Sequence, residues 1–309
     1  MMTRVATSGR CILFVIAWLA LAGGCAKMMT TGITSLKPRN MTELQGYLLN
    51  HKPDLDYFTL RGPFAVAEQH NYEIRLSTTE IINSDLYLSA HAEKAPLVIF
   101  MHGYDSSKDD HAFQAQHVAS WGMHCLALQL PNSGQWANNG QTLAKLVKFI
   151  YRWPEIVDSR IDVNKIILVG HSFGAASVAI ALAEGAPAGG SILLDPAAIG
   201  RNLPDYLRKI NKPTMLLGAD EHLSVARNRE YFYQFIRSGV AEVSIKDAVH
   251  EDAQFPSRFA VATEASQVAF VSALTSAAFS LSSTGKFDYA WTSFDEALAN
   301  GKFFNPKKK

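Results

Sequence analysis

Residues 166–179 read IILVGHSFGAASVA: an apolar run, a serine flanked by glycines, and a run of small residues. The apolar run predicts a buried β-strand and the small residues predict a helix, so the pentapeptide between them is a strand–turn–helix connection. This pentapeptide fits the pattern G-x-S-x-G, in which the turn is so tight that the serine adopts strained backbone angles. Gly170 and Gly174 have no Cβ to collide with neighbouring backbone. The sequence therefore predicts that Ser172 is a nucleophile, with its hydroxyl held in the open where the helix begins.

Alternating strand and helix patterns extend from this turn in both directions. Short continuous apolar runs, typical of parallel strands buried on both faces, occur at 96–101, 125–130, 166–169, 192–194 and 214–217. Helical patterns separate them, at 112–121, 142–153, 175–184, 228–237 and 264–279. Upstream, residues 72–77 and 86–88 alternate between apolar and polar, as half-buried antiparallel strands do. The order predicts an α/β protein with a mostly parallel, doubly wound sheet and an antiparallel N-terminal edge.

A serine nucleophile needs a base to take its proton and a carboxylate to orient that base. Two histidines follow Ser172 in the chain. His250 lies in a loop after the predicted last strand, 243–246, and is the predicted base, whereas His222 follows an earlier strand. Carboxylates at the carboxyl ends of strands are candidates for the acid, because sites of this sheet class form there. Position alone leaves three of them open: Asp195, Asp220 and Glu221.

Four segments resemble the α/β-hydrolase superfamily, in particular its branch of platelet-activating-factor acetylhydrolases and plant chlorophyllases. Bacterial polyester hydrolases of the cutinase-like kind are more distant relatives. The segments are Met101–Tyr104, Gly170–Gly174, Leu194–Pro196 and the region from His250 to Phe255, and the resemblance covers most of residues 62–280. One departure is Ala175, where relatives often have a second glycine after the serine motif.

The resemblance implies the α/β-hydrolase fold and the roles of further residues. Backbone N–H groups of Tyr104 and Phe173 would form an oxyanion hole. In the acetylhydrolases and chlorophyllases the acid follows the strand after the nucleophile. The resemblance therefore implies Asp195 as the acid, with Asp220 and Glu221 in reserve.

The first 25 residues have the layout of a secretory signal peptide. Arg4 and Arg10 give a positively charged n-region. The apolar run 11–22 that follows is too short to span a bilayer as a helix. Residues 21–25, LAGGC, resemble the lipobox of bacterial lipoproteins, in which the cysteine is lipidated. Ala22 departs from the leucine that is usual there, so an ordinary signal peptide ending near this residue is the alternative.

The lipobox resemblance implies a division of the chain into three parts. Residues 1–24 would be removed as a signal peptide, and Cys25 would be lipidated and followed by a polar tether to residue 45. Residues 46–309 would form one catalytic domain. The residue after the cysteine is Ala26 rather than aspartate, which resembles the signal for outer-membrane sorting in Gram-negative bacteria. This resemblance implies export and a membrane anchor in the cell envelope.

Composition and the remaining motifs exclude several classes of function. The 29 basic and 28 acidic side chains give a formal charge of +1, so there is no basic field to favour nucleic acid as a partner. No metal-ligand spacing, Walker A loop or dinucleotide fingerprint is present in the sequence, so neither a metal nor a cofactor is predicted. Three cysteines cannot form a disulfide framework, and Cys125 lies in an apolar run typical of an inert core thiol.

The predicted function is hydrolysis of carboxylic esters, in small molecules or lipids, through an acyl-enzyme on Ser172. Two alternatives stay open: an acyltransferase that uses the same three residues, and a non-catalytic envelope lipoprotein that kept the fold. Trp136, in a predicted loop after residues 125–130, is a candidate wall of the substrate site or a packed surface aromatic. The lysine-rich residues 305–309 predict a solvated, frayed tail.

Overall fold

A sheet of nine strands runs through the part of the chain that the structure, a computed structural model, describes. The described residues are 37–51, 54–91, 93–131, 136–220, 227–237, 239–259 and 261–309. The strands, in chain order, are β1 (Val66–Arg75), β2 (Ile81–Ser89), β3 (Ala95–Met101), β4 (His124–Gln129), β5 (Ile161–His171), β6 (Gly190–Leu194), β7 (Thr214–Gly218), β8 (Val240–Ile245) and β9 (Phe303–Lys308).

The spatial order of the strands is β1-β2-β4-β3-β5-β6-β7-β8-β9. All neighbouring pairs from β4 to β8 are parallel. At one edge β1 pairs with β2, and β2 with β4, in antiparallel register. This confirms the predicted fold class, a mostly parallel sheet with an antiparallel N-terminal edge. The other edge also ends in an antiparallel pair, β8 with β9.

Helices cover both faces of the sheet. They are α1 (Met41–Leu49), α2 (Ala112–Ser120), α3 (Trp136–Arg152), α4 (Phe173–Ala183), α5 (Leu203–Leu207), α6 (Arg227–Phe235), α7 (Glu264–Thr284), α8 (Asp288–Ser293) and α9 (Asp295–Ala299). One apolar core joins the sheet to α1, α2 and α7, and a second core joins the opposite face to α3, α4, α5 and α6. Helix α7 is long and apolar enough to cross a membrane, but 89% of its apolar window is buried in the fold, so it is a core helix.

The two cores explain why the strands read as continuous apolar runs. Successive side chains of a strand point to opposite faces of the sheet. In β3, Val98 and Phe100 belong to one core, while Leu97, Ile99 and Met101 belong to the other. Every residue of β3 is buried. A strand covered on both faces has no polar position to alternate with.

Helix α1 extends the packed part of the chain further upstream than the predicted boundary at residue 46. Its side chains Met41, Leu44 and Leu48 are buried in the core that includes α7. Asn40 caps the helix by accepting a hydrogen bond from the backbone N–H of Glu43. Residues 41–45 are therefore part of the folded body rather than a tether. The signal-peptide and lipidation predictions, including Cys25, concern residues outside the described part of the chain.

The prediction of a frayed C-terminal tail is wrong, because residues 303–308 form the edge strand β9. Phe303 anchors this strand, with only 2% of its surface exposed and its ring 5.4 Å from that of Phe294. The lysines of β9 remain at the surface, and the ammonium of the following Lys309 lies 4.7 Å above the ring of Tyr233. Lysine-rich edge strands are a common device against edge-to-edge aggregation, and the same lysines make this strand look like a solvated tail.

Candidate active site

Ser172 occupies a one-residue turn between β5, which ends at His171, and α4, which begins at Phe173. Its φ of 54° and ψ of −123° are the strained angles expected of a nucleophile elbow. A Cβ on Gly174 would lie 2.3 Å from the carbonyl oxygen of His102, and one on Gly170 would lie 2.6 Å from that of Gly174. Both glycines are therefore required by close backbone approach, as the motif predicts.

The loop after β3 lies directly against this elbow. A Cβ on Gly103 would lie 2.9 Å from the Cβ of Ser172, so the loop backbone touches the serine. His102 is fully buried and bonds through its ring to the backbone of Gly103 and Leu130, which fixes the loop. Phe173 is the first residue of α4, so its backbone N–H has no acceptor within the helix. Tyr104 and Phe173 thus flank Ser172, and their rings are 6.1 Å apart.

His250 and Asp195 meet beside the elbow although 55 residues separate them in the chain. His250 Nδ1 lies 2.6 Å from Asp195 Oδ2. Asp195 comes directly after β6, with 1% of its side chain exposed, whereas the His250 side chain is 21% exposed. A buried carboxylate on Nδ1 leaves the other ring nitrogen as the proton acceptor.

Asp195 is held in its ionised form. Burial acts to raise its pKa, but the hydrogen bond and charge of His250, the Arg229 guanidinium and the Ala219 N–H together hold the pKa below its usual value. A carboxylate that is both buried and ionised is what a histidine base needs as its partner.

The two reserve candidates for the acid stand differently. Asp220 Oδ2 accepts a hydrogen bond from the backbone N–H of Asp247 at 3.1 Å. Its own N–H donates to the carbonyl of Ala248, so this residue ties the β7 loop to the β8 loop. Glu221 lies outside the described residues. Of the carboxylates described, the one bonded to His250 Nδ1 is Asp195.

Sequence reasoning missed Arg229, whose guanidinium is buried behind Asp195. Its side chain is 1% exposed, and Nη1 donates to Asp195 Oδ1 at 2.7 Å and to the carbonyl of Ala219 at 2.8 Å. It also bonds to Glu242 at 3.4 Å and to Ser244 Oγ at 3.0 Å. Nothing in the polar sequence of α6 marks this arginine as buried, because its partners come from β6, β7 and β8.

His171 within the serine motif also has an unpredicted position. Its Nε2 lies 3.1 Å from the carbonyl oxygen of His250, and its Nδ1 lies 3.1 Å from the side-chain nitrogen of Gln254. Since a carbonyl can only accept, Nε2 carries the proton and Nδ1 accepts from the amide. Burial, together with the charge of His250, lowers the pKa of His171 well below its ordinary value. A neutral His171 therefore joins the elbow to the loop that carries His250.

An apolar cavity of about 380 Å³ opens next to the elbow. Tyr104, Phe173, Ile199 and Leu203 line it together with Trp136. The sequence predicts that Trp136 lies in a loop, but it is the first residue of α3. Its side chain is 4% exposed, and its ring lies 5.6 Å from that of Phe173. Among the described residues that line this cavity, none carries a charged side chain. The cavity can therefore receive an uncharged apolar group beside Ser172.

A larger cavity, of about 680 Å³, lies elsewhere, between the turn at Leu55–Thr59, α7 and α9. Ser172, Asp195 and His250 are not among its lining residues, so cavity size alone does not locate the site. Within the described ranges, no group of three or more histidine, cysteine, aspartate or glutamate side chains is arranged to hold a metal ion.

The fold and this arrangement define a class of protein, and a family model agrees. The model for the alpha/beta hydrolase family matches residues 98–298, which include the elbow, Asp195 and His250. The chain belongs to the alpha/beta hydrolase family, which confirms the superfamily prediction.

Two relatives are cutinases. Cutinase 1 of Thermobifida cellulosilytica is 24% identical over 203 residues, covering 64% of this chain and 75% of the relative. A cutinase of Thermobifida fusca (strain YX) is also 24% identical over 203 residues, covering 64% of this chain and 65% of the relative. The resemblance to acetylhydrolases and chlorophyllases in particular stays a prediction.

Proposed function

We propose that the protein is a serine esterase that hydrolyses carboxylic esters through an acyl-enzyme on Ser172. Family membership and the similarity to cutinases support a hydrolase of esterase type. The observation that carries the proposal is the 2.6 Å contact of His250 Nδ1 with buried Asp195, made beside a serine in strained backbone geometry. Nucleophile, acid and base follow one another along the chain as Ser172, Asp195 and His250, which is the order that this fold uses.

The reaction would proceed in two halves. His250 Nε2 takes the proton of Ser172 Oγ as the oxygen attacks the ester carbonyl, and the backbone N–H groups of Tyr104 and Phe173 hold the oxyanion. His250 then gives that proton to the departing alcohol oxygen, and an acyl ester remains on Ser172. In the second half, water loses a proton to His250 and attacks the acyl carbon. The proton returns to Ser172 Oγ as the carboxylic acid leaves.

The cavity beside the elbow is proposed to bind the acyl group. The described residues of its lining carry no charged side chain and are mostly aromatic or aliphatic, so the cavity favours an uncharged apolar chain over an acidic or basic one. Ile199 lies on its wall and is half-buried. Ile199→Trp should fill part of the cavity and shift the preference towards acetate, whereas Ile199→Ala should shift it towards longer esters. Unchanged preference in both variants would remove this cavity from the substrate site.

The deciding experiment is hydrolysis of p-nitrophenyl esters, from acetate to palmitate, by wild type and variants. Ser172→Ala should abolish activity and labelling by a fluorophosphonate probe. Asp195→Asn should lower kcat by about 10⁴-fold, because the histidine loses its orienting partner. Asp220→Asn is the matched control and should leave kcat within about threefold, since Asp220 bonds to Asp247 instead. A Ser172→Ala enzyme that keeps wild-type activity would refute the proposal.

We also propose export and lipid anchoring through Cys25, on the resemblance of residues 21–25 to a lipobox. In a bacterial host, radiolabelled palmitate should be incorporated into the wild-type chain and not into Cys25→Ala. The buried Cys125 provides the control, since Cys125→Ala should leave labelling unchanged. Equal labelling of the wild type and Cys25→Ala would contradict the anchor.

A further inference from the structure

The cluster around Arg229 has a cost that the fold alone does not explain. The Arg229, Asp195 and Glu242 side chains are each 1% exposed, so three charges are removed from water. Such a cluster is commonly no more stabilising than apolar side chains of similar size. Even the backbone makes room for it: a Cβ on Gly218 would lie 2.2 Å from the guanidinium carbon. An arrangement this demanding points to a role in the site that it adjoins.

The two oxygens of Asp195 have different partners. Oδ2 faces His250 Nδ1 at 2.6 Å, while Oδ1 accepts from Arg229 at 2.7 Å and from the Ala219 N–H at 3.1 Å. Donors on both oxygens fix the orientation of the carboxylate. Arg229 thereby aims the second oxygen at the histidine.

Glu242 limits the effect of the arginine on the charge of Asp195. A lone guanidinium at 2.7 Å would offset most of the negative charge that His250 requires from Asp195. Glu242, at 3.4 Å from Arg229 Nε, shares that positive charge. Lys307 on β9 lies 3.7 Å from Glu242 and is 30% exposed, so water screens its contribution.

We propose that Arg229 is a positioning residue for Asp195, and that Arg229 and Glu242 together set the negative charge that His250 meets. The inference rests on the proposed function, in which His250 is the base. Arg229 is not among the described lining residues of the substrate cavity, and its contact with the proposed catalytic residues is the bond to Asp195, so it is a positioning residue and not a catalytic one.

Other titratable groups surround His250 and remain in place when the cluster is altered. The His171 ring lies 4.6 Å from the His250 ring, and His171 is neutral. Asp252, in the same short turn as His250 and Glu251, accepts hydrogen bonds from the backbone N–H groups of Val249 and Thr263. These groups act equally in wild type and in each variant, so differences between variants report the Arg229 cluster.

The proposal predicts opposite effects for two substitutions in the full chain. Arg229→Met removes a positive charge, and the acidic limb of the pH profile of kcat/KM should move up by about one pH unit. Both carboxylates keep other partners in this variant: Asp195 keeps its bonds from His250 and the Ala219 N–H, and Glu242 keeps the Lys307 ammonium at 3.7 Å. Glu242→Gln removes a negative charge at nearly constant size, and the limb should move down by about half a pH unit.

Two further variants separate charge from packing. Arg229→Lys keeps the charge with fewer hydrogen bonds, so its limb should stay within a few tenths of a pH unit of wild type. Arg208→Met is the control for the loss of an ion pair, since Arg208 pairs with Asp205 at the surface, and its profile should match wild type. If Arg229→Met does not fold, Glu242→Gln and Arg229→Lys still test the proposal.

NMR titration of the His250 ring provides a second readout that does not need activity, with His250→Gln used to assign the signal. The pH at the midpoint of the His250 titration should be higher in Arg229→Met and lower in Glu242→Gln than in wild type. Midpoints that are unchanged, or that move in one common direction, would overturn the inference. Failure of the proposed function is a different result: no ester is hydrolysed by the folded wild type, or Ser172→Ala retains activity, whatever the midpoints do.

Discussion

Gly174→Ala tests whether the elbow and the loop after β3 are locked together. The new Cβ would lie 2.3 Å from the carbonyl oxygen of His102 and 2.4 Å from that of Met101, whereas ordinary contact begins at 3.4 Å. Met101 is held between Leu128 of β4 and Gly170 of β5, so the strand end cannot yield. The start of α4 must move by about 1 Å instead.

This displacement has a calculable effect on activity. The N–H of Phe173 moves with the start of α4, away from its proposed partner on Tyr104. A misplacement of about 1 Å costs on the order of 10²-fold in rate, so kcat should fall about 100-fold with little change in KM. Overpacking should also lower the free energy of unfolding by about 1–3 kcal/mol.

The assay compares Gly174→Ala with Gly46→Ala, using p-nitrophenyl ester kinetics and urea unfolding. Gly46 lies in the middle of α1, and a Cβ added there would have nothing within 4 Å, so alanine should stabilise the fold by about 0.5–1 kcal/mol and leave kcat unchanged. A folded Gly174→Ala enzyme with wild-type kcat would refute the argument that close backbone approach holds the two oxyanion donors in place.

Three further predictions concern the folded body. Burial lowers the pKa of His117 from its ordinary 6.5 to about 4, so its contribution to stability is complete above pH 6.5 and is lost as the pH falls to about 4. Between pH 6.5 and 4, the free energy of unfolding measured in urea should fall less steeply in His117→Gln than in wild type, by about 1.4 kcal/mol per pH unit. An unchanged slope of the unfolding free energy against pH would contradict this. Phe303→Ala should cost about 3–5 kcal/mol in unfolding free energy, well above the cost of the control Phe304→Ala, whose ring is half-buried; equal costs would mean that β9 is not anchored as described. Burial raises the pKa of the Cys125 thiol, so it should react with Ellman's reagent only after unfolding, and rapid reaction in the native state would argue against its burial.

The features that could be predicted from the sequence are those with local causes. Residues 166–179 place a strand, a tight turn and a helix within one short segment, and β5, Ser172 and α4 follow from it. The continuous apolar runs mark the parallel strands because each is covered on both faces. The pairing of Asp195 with His250 does not follow from local sequence patterns. Position in the chain leaves Asp220 and Glu221 as equal candidates for the acid, and within the sequence only the family resemblance favours Asp195.

The features that sequence reasoning misses depend on contacts between distant segments. Arg229 lies in a polar helix sequence. It is buried because the fold brings Asp195, Ala219 and Glu242 into contact with it. Residues 303–308 form a strand because the outer edge of β8 needs a partner, which no pattern within the lysine-rich segment reveals. The prediction of a loop at Trp136 is wrong because the helix signal becomes clear only further along α3.

The buried cluster behind Asp195 also constrains how the sequence can drift during evolution. Replacing Arg229 alone leaves two buried carboxylates without their shared cation, and replacing Glu242 alone leaves the arginine with one carboxylate instead of two. We therefore expect single changes to be disfavoured and joint changes to be tolerated. Position 218 is constrained together with position 229, because a side chain at 218 would collide with the Arg229 guanidinium. In an alignment of homologues, residues 218, 229 and 242 should therefore covary. Lineages without an arginine at 229 should carry a neutral residue at 242 and be free to lose the glycine at 218.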